Sequence, residues 1–328
     1  MNRRSLTLLL VTPLFLRIIF SAAYSQTTLP LTPFPGEKGA GMTSSSIPSN
    51  SVSHLGTRGG DLWLGTGKGL AKSSDGGRTF TSYRYVPQFP RPGIFALEAR
   101  GSTIWAATGY TREVDGGTVQ AGAGYAYSTD NGGTWNSASQ PLDQRSDSLV
   151  TYGINTVRFI PIVVPEQNVT FDLSLTDSAV WVASWSSGLR RSTDAGKTWR
   201  RTVLPTRTRN SIAPTDTLVN YLIDPRLDNN LLVFSVFAEN ERIIWAGSAG
   251  GINRSTDGGF SWTKFTTDNQ TSHILGNWVI AIKGQTLGSR RRIWTTNWPA
   301  DGQTEQYAVS ATDDSGRTWK NFLPGVKA

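Results

Sequence analysis

The chain has 328 residues, 38% hydrophobic and 17% charged, with 34 Gly, 12 Trp and no Cys, which suffices for one large domain or two ordinary ones and is too apolar for a disordered chain. The lack of Cys and the presence of only two His, His54 and His273, exclude disulfide scaffolds, Cys/His zinc sites, Cys nucleophiles and iron–sulfur clusters, and leave a Ser-His-Asp hydrolase only those two His. Lys plus Arg outnumber Asp plus Glu by 32 to 24, and three of the Arg (Arg3, Arg4, Arg17) belong to a leader, so the excess is too mild to demand an anionic partner.

Residues 1–25 read as an export signal: Arg3 and Arg4 begin it, Leu6 to Leu16 form a short apolar run, and Ala23-Tyr24-Ser25 is a small-x-small cleavage pattern. The mature chain is therefore expected to be secreted, periplasmic or at the cell surface, with no stable membrane insertion after cleavage. Residues 26–46 are rich in Pro, Gly, Thr and Ser without apolar periodicity and are expected to be a flexible lead-in.

From there one phrase, Ser-x-Asp-x-Gly-x-Thr-Trp, returns five times. The copies run 73–80, 128–135, 192–199, 255–262 and 312–319, and their acidic residues are Asp75, Asp130, Asp194, Asp257 and Asp314, spaced by 55, 64, 63 and 57 positions. Upstream of each lies a short apolar run centred on Trp and mostly followed by small residues, at Trp63, Trp105, Trp181, Trp245 and Trp294. The Trp run reads as a strand. The Asp-Gly core reads as a tight turn in which Asp accepts amide hydrogen bonds and Gly takes a positive φ. Trp recurring at one place per unit points to a repeated packing slot. Such a period, with several short strands and no helical pattern, predicts an all-β chain folded as a β-propeller.

The phrase is that of the Asp-box, or BNR repeat. Over residues 47–324 the chain resembles the Asp-box propellers, a group that includes sialidases, sortilin-type receptors, xyloglucan hydrolases and photosystem II assembly factors; it looks most like secreted bacterial propellers of the sortilin-like or assembly-factor-like kind. The resemblance implies that the five box Asp are structural, on outer-rim turns away from the axial ligand site.

Five blades are expected near 47–88, 93–141, 150–205, 217–268 and 275–324. Inner strands are expected at 51–56, 93–99, 155–164, 219–223 with 231–237, and 277–282. Blades three and four carry surplus strand-like sequence, 169–175 among it, so a sixth, box-less blade is one expectation. Residues 324–328 read as the entry to another inner strand, which makes an incomplete ring or a truncated chain another.

Binding groups belong where second-to-third strand turns and blade-to-blade connections share a face around the axis. Tyr110, Arg112, Trp185 and Trp298 fall in these connections, and Tyr152 and Trp278 reach the same face from strand starts. The leading reading is a non-catalytic module that binds a protein segment or glycan, with no cofactor and no metal. The rival, a secreted sialidase-like or xyloglucanase-like glycoside hydrolase, requires loop carboxylates such as Glu113 and Asp301 to converge. Sialidases carry a Phe-Arg-Ile-Pro phrase before the first box; Arg158-Phe159-Ile160-Pro161 scrambles its order and follows the second box. The Asp-rich turns lack a full calcium-ligand series. Arg clusters are spread over several blades, so no nucleic-acid partner is expected. Asn168 and Asn269 fit the glycosylation pattern.

Overall fold

The computed structural model describes residues 42–84, 86–301 and 303–327, so the leader and nearly all of the lead-in lie outside the described residues. Alternating apolar runs closed by Gly-rich turns give antiparallel pairing in every sheet, with one parallel pair, β11 with β17. Blade 1 holds β1 (Met42–Ser44), β2 (Val52–Arg58), β3 (Asp61–Thr66), β4 (Gly69–Ser73) and β5 (Phe80–Tyr83), and blade 2 holds β6 (Gly93–Arg100), β7 (Thr103–Val114), β8 (Gly117–Ser128) and β9 (Asn136–Ala138). After β10 (Leu149–Tyr152) and β11 (Asn155–Phe159) comes blade 3, with β12 (Thr170–Leu175), β13 (Val180–Ser184), β14 (Gly188–Ser192) and β15 (Arg200–Arg201). Next are β16 (Ser211–Ile212) and β17 (Leu222–Ile223), then blade 4 with β18 (Val233–Ala238), β19 (Ile244–Ser248), β20 (Gly251–Ser255) and β21 (Trp262–Phe265). Blade 5 holds β22 (Trp278–Leu287), β23 (Arg290–Trp298), β24 (Ala308–Thr312) and β25 (Lys320–Phe322).

Each blade is a meander, and β1 and β16 add outermost strands to blades 1 and 4. The first strands pack in series, β2 on β6, β6 on β12, β12 on β18 and β18 on β22, which makes them the inner strands of a β-propeller. Three expectations are corrected here. The inner strand of blade 3 is Thr170–Leu175, not 155–164. The surplus sequence makes a three-stranded sheet, β10-β11-β17, but β12 and β18 pack directly on one another, so this sheet is no blade of the ring; its Tyr152, Val157 and Phe159 fill the crevice beside Trp181. Strand pairing also begins at Met42, opposite Ser82, inside the span read as lead-in.

The core is a series of slots between blades. Ile94 and Leu97, Thr170 and Leu173, Val233 and Val236, and Val279 and Ile282 are all at most 2% exposed. They close on Trp63, Trp105, Trp181 and Trp245 of the preceding blade. The box Trp of the following blade meets that Trp edge-on, at 6.2 Å for Trp63–Trp135, 6.4 Å for Trp105–Trp199 and 6.3 Å for Trp245–Trp319.

All five inner strands also carry a register shift at the same place, around Ser53, Phe95, Phe171, Phe234 and Ile280. This explains the small residues after each Trp. A Cβ on Gly247 would lie 2.4 Å from Ser235 Oγ and 2.4 Å from Val279 O, and one on Gly65 would lie 2.7 Å from Ile94 Cγ2, so bulk there would push the next blade away.

Candidate functional site

The five box turns close one end of the sheets and make the same hydrogen bonds. In the third, Ser192 Oγ donates to Asp194 Oδ1 at 2.8 Å and accepts from Gly196 N, while Thr198 donates through N to Oδ1 and through Oγ1 to Oδ2. Asp75, Asp130 and Asp314 repeat this set, and Ser261 stands for Thr beside Asp257. Accepting these bonds favours the charged form. Hydrogen bonds from Thr134 and Ser128 hold Asp130 at about 2, and those from Thr198 and Ser192 hold Asp194 at about 2. Both carboxylate oxygens of each box Asp accept hydrogen bonds from their own turn.

The opposite end gathers the β3–β4, β13–β14, β19–β20 and β23–β24 turns and the connections between blades. Here the register shifts turn aromatic rings toward one another across blades. Phe234 lies 5.8 Å from Phe171, 5.0 Å from Trp185 and 6.0 Å from Trp278. Trp185 and Trp278, both half-buried, are thus joined by Phe234, a residue that the strand pattern alone disguises as ordinary core.

The other anticipated residues are placed differently. Tyr110 and Arg112 lie on β7, not in a loop: β7 and β8 run on as a long hairpin that turns at Asp115 and Gly116. Arg91 stacks 4.8 Å from the Tyr110 ring, and Arg112 pairs with Glu166. Trp298 faces Trp278 in the β22–β23 register, but its ring meets Tyr307 at 5.9 Å and Lys327 at 5.0 Å. Tyr152 is buried and donates to Phe260 O in the fourth box turn, 2.6 Å away, so it belongs to the crevice beside Trp181 and not to this face. Asn168 is also buried, and its Oδ1 accepts from Ser187 N, which leaves no room for a glycan.

Beside the aromatic group, a cleft of about 660 Å³ opens between blades 4 and 5, lined by Asn230, Lys264, Asn277, Asp228, Asp268, Asp301 and Glu305 among others. Its floor is a reciprocal amide pair, Asn230 with Asn253, into which Ser248 Oγ donates. Lys264 donates to Thr206 O at 2.8 Å, and burial lowers its affinity for a proton against the pull of Asp228 and Asp268. Three of its carboxylates are bonded to nearby backbone: Glu305 accepts from Asn277 N, Asn277 Nδ2 and Ala300 N, Asp228 from Arg207 N and Asn230 N, and Asp301 through Oδ1 from Gln303 N and Thr304 N. Backbone bonds from Thr304 and Gln303 lower Asp301 below its ordinary value. Glu113 is not among the residues lining this cleft; it accepts from Thr118 on its own hairpin. Asp143, another loop carboxylate, is buried between Arg190 and Arg201.

Along the axis stand His54 on β2, Glu98 on β6, Asp172 on β12 and Lys283 on β22. Burial raises Asp172, which accepts from Leu173 N and Val236 N. It pushes Glu98 up to about 7, with Lys283 opposing and Asp172 adding to the rise. Burial lowers His54. Among the described residues no three His, Asp or Glu are grouped to hold a metal ion.

The chain is a β-propeller. It matches no protein-family model and no curated protein. Among solved structures it is similar to the extracellular domain of a B. thetaiotaomicron one-component system (14% identity, TM-score 0.47, 92% of this chain and 37% of that one) and to a GH74 enzyme of Niastella koreensis (15%, 0.48, 86% and 38%). It is also similar to YCF48 bound to D1 peptide (14%, 0.35, 86% and 85%). The chain spans little more than a third of the length of the first two. Among the described residues no helix is long and apolar enough to cross a membrane.

Proposed function

We propose that this propeller is an exported, non-catalytic module that holds an extended protein segment on its loop face, with apolar side chains of the segment against Trp185, Phe234 and Trp278 and its backbone over the amide-lined cleft. One observation carries this reading: three blades converge rings at one point, tilted 43° to 54° to one another. Tilted rings leave edges and gaps suited to a side chain, whereas a sugar ring stacks on a flat platform. Asn269, which lines the cleft, donates one Nδ2 hydrogen to Lys264 O and has a second to offer a peptide backbone. Glycoside hydrolysis needs a carboxylic acid held protonated across from a free carboxylate, and Glu305, Asp228 and Asp301 of this cleft each accept two backbone amides of the chain itself.

The test is selection of peptides from a displayed random library against the purified chain, followed by fluorescence anisotropy on those enriched. Trp185→Ala and Trp278→Ala are each expected to weaken binding about tenfold, the loss of a hot-spot aromatic. Unchanged affinity in both variants, or hydrolysis of a glycan that Glu305→Gln abolishes, overturns the reading.

A further inference from the structure

Among the described residues, four interblade slots leave one half-slot unmatched at each end of the series. Blade 1 carries the surface that blades 2 to 5 turn toward the blade before them, yet its Val52 and Leu55 are 43% and 66% exposed, whereas the matching Leu97, Leu173, Val236 and Ile282 are at most 2% exposed. Phe80, which takes the place of the box Trp, meets no Trp of a preceding blade among the described residues. At the other end Trp294 holds the place of Trp63, Trp105, Trp181 and Trp245 but is only half-buried. Its ring meets Phe322 at 5.4 Å and Arg292 at 5.4 Å, both of its own blade, and Phe322 and Leu323 nearby are 37% and 59% exposed.

These two faces are a plug and a socket of one design. Each is a copy of a surface that already mates four times within the chain, so the geometry and chemistry of the fit are on view in the closed slots. The chain's own two faces do not use it: β2 and β22 do not pack as the four neighbouring pairs do. We infer that the leading face of blade 1 seats on the trailing face of blade 5 of a second copy of this chain. In that contact Leu55 lies over Trp294 as Leu97 lies over Trp63, and Phe80 meets Trp294 as Trp135 meets Trp63. The contact is head-to-tail, so each copy keeps one face open until a ring closes.

Sedimentation velocity of the full chain, from about 1 µM to about 200 µM, reads the association. Wild-type chain is expected to associate as concentration rises. Leu55→Asp blocks the plug and Trp294→Asp the socket; each alone is expected to associate at least about tenfold more weakly, since a buried unpaired charge is costly. Mixed in equal amounts, the two variants are expected to stop at a dimer, because one intact plug meets one intact socket and both outer faces are blocked. Val52→Lys, on an already exposed side chain, blocks the plug independently should Leu55→Asp unfold. A wild-type chain that stays monomeric throughout overturns the inference, whether residues 1–41 or another protein covers the face, and so does a single variant that associates like wild type.

Discussion

The two ends of the propeller are built by opposite rules. At the box end, five turns 55 to 64 residues apart repeat one hydrogen-bond set on one sequence phrase, and each is complete within its own blade. At the loop end only the β3–β4 and β19–β20 turns share a bond pattern, Thr66 Oγ1 to Gly69 O and Ser248 Oγ to Gly251 O, and the feature that matters, Phe234 between Trp185 and Trp278, exists only because three blades meet. Repetition marks what holds the fold. Its absence marks where a partner can be distinguished.

The largest expected effect sharpens this contrast. Trp105→Ala opens a closed slot behind the third box and is expected to cost about 3–5 kcal/mol in urea unfolding. Trp185→Ala at the loop end is half-buried already and should cost less than about 2 kcal/mol; equal costs would erase the division. Next comes pH. Glu98 is raised from 4.5 to about 7 by burial, so the folded chain binds the extra proton: its contribution is full below pH 4.5 and is lost as pH rises through 7. Glu98→Gln is therefore expected to stabilise the chain at pH 8 by on the order of 1–3 kcal/mol and to flatten its Tm profile between pH 5 and 7. The box carboxylates act with the reverse sign, for their stability is present above pH 3.8 and is lost as pH falls toward about 2. The smallest effect is Asp194→Ala, expected to lower Tm by a few degrees through the loss of its turn bonds while leaving peptide binding untouched; a binding defect would place the box turns within the site.

What could be read from the chain follows from what is local. The Trp runs and box turns are legible because their hydrogen bonds and slots lie within a few residues or recur at fixed distance. The third inner strand is not. Residues 155–164 and 170–175 are equally strand-like, and the choice depends on which lies one tight hairpin before Trp181, as Leu175 does at Thr176 to Ala179. Trp185 and Trp278 are legible as aromatics beside turns. Phe234, 8% exposed, reads as core, since only the register shift in β18 and the neighbouring blades give its ring a place at the face. The cleft floor of Asn230, Asn253 and Lys264 is invisible for the same reason: three polar residues scattered over strand and loop meet only after assembly.

Strand β1 pairs with β5 of its own blade, and among the described residues no strand is lent between the first blade and the last. Mechanically the described blades are then an array, not a hoop. Each blade packs its sheet on at most two neighbours, and its stability is mainly a sum of unit and nearest-neighbour contributions. Amide exchange should run as a gradient, fastest in the terminal blades, where fraying breaks one interface, and slowest in blade 3, which lies two interfaces from either end.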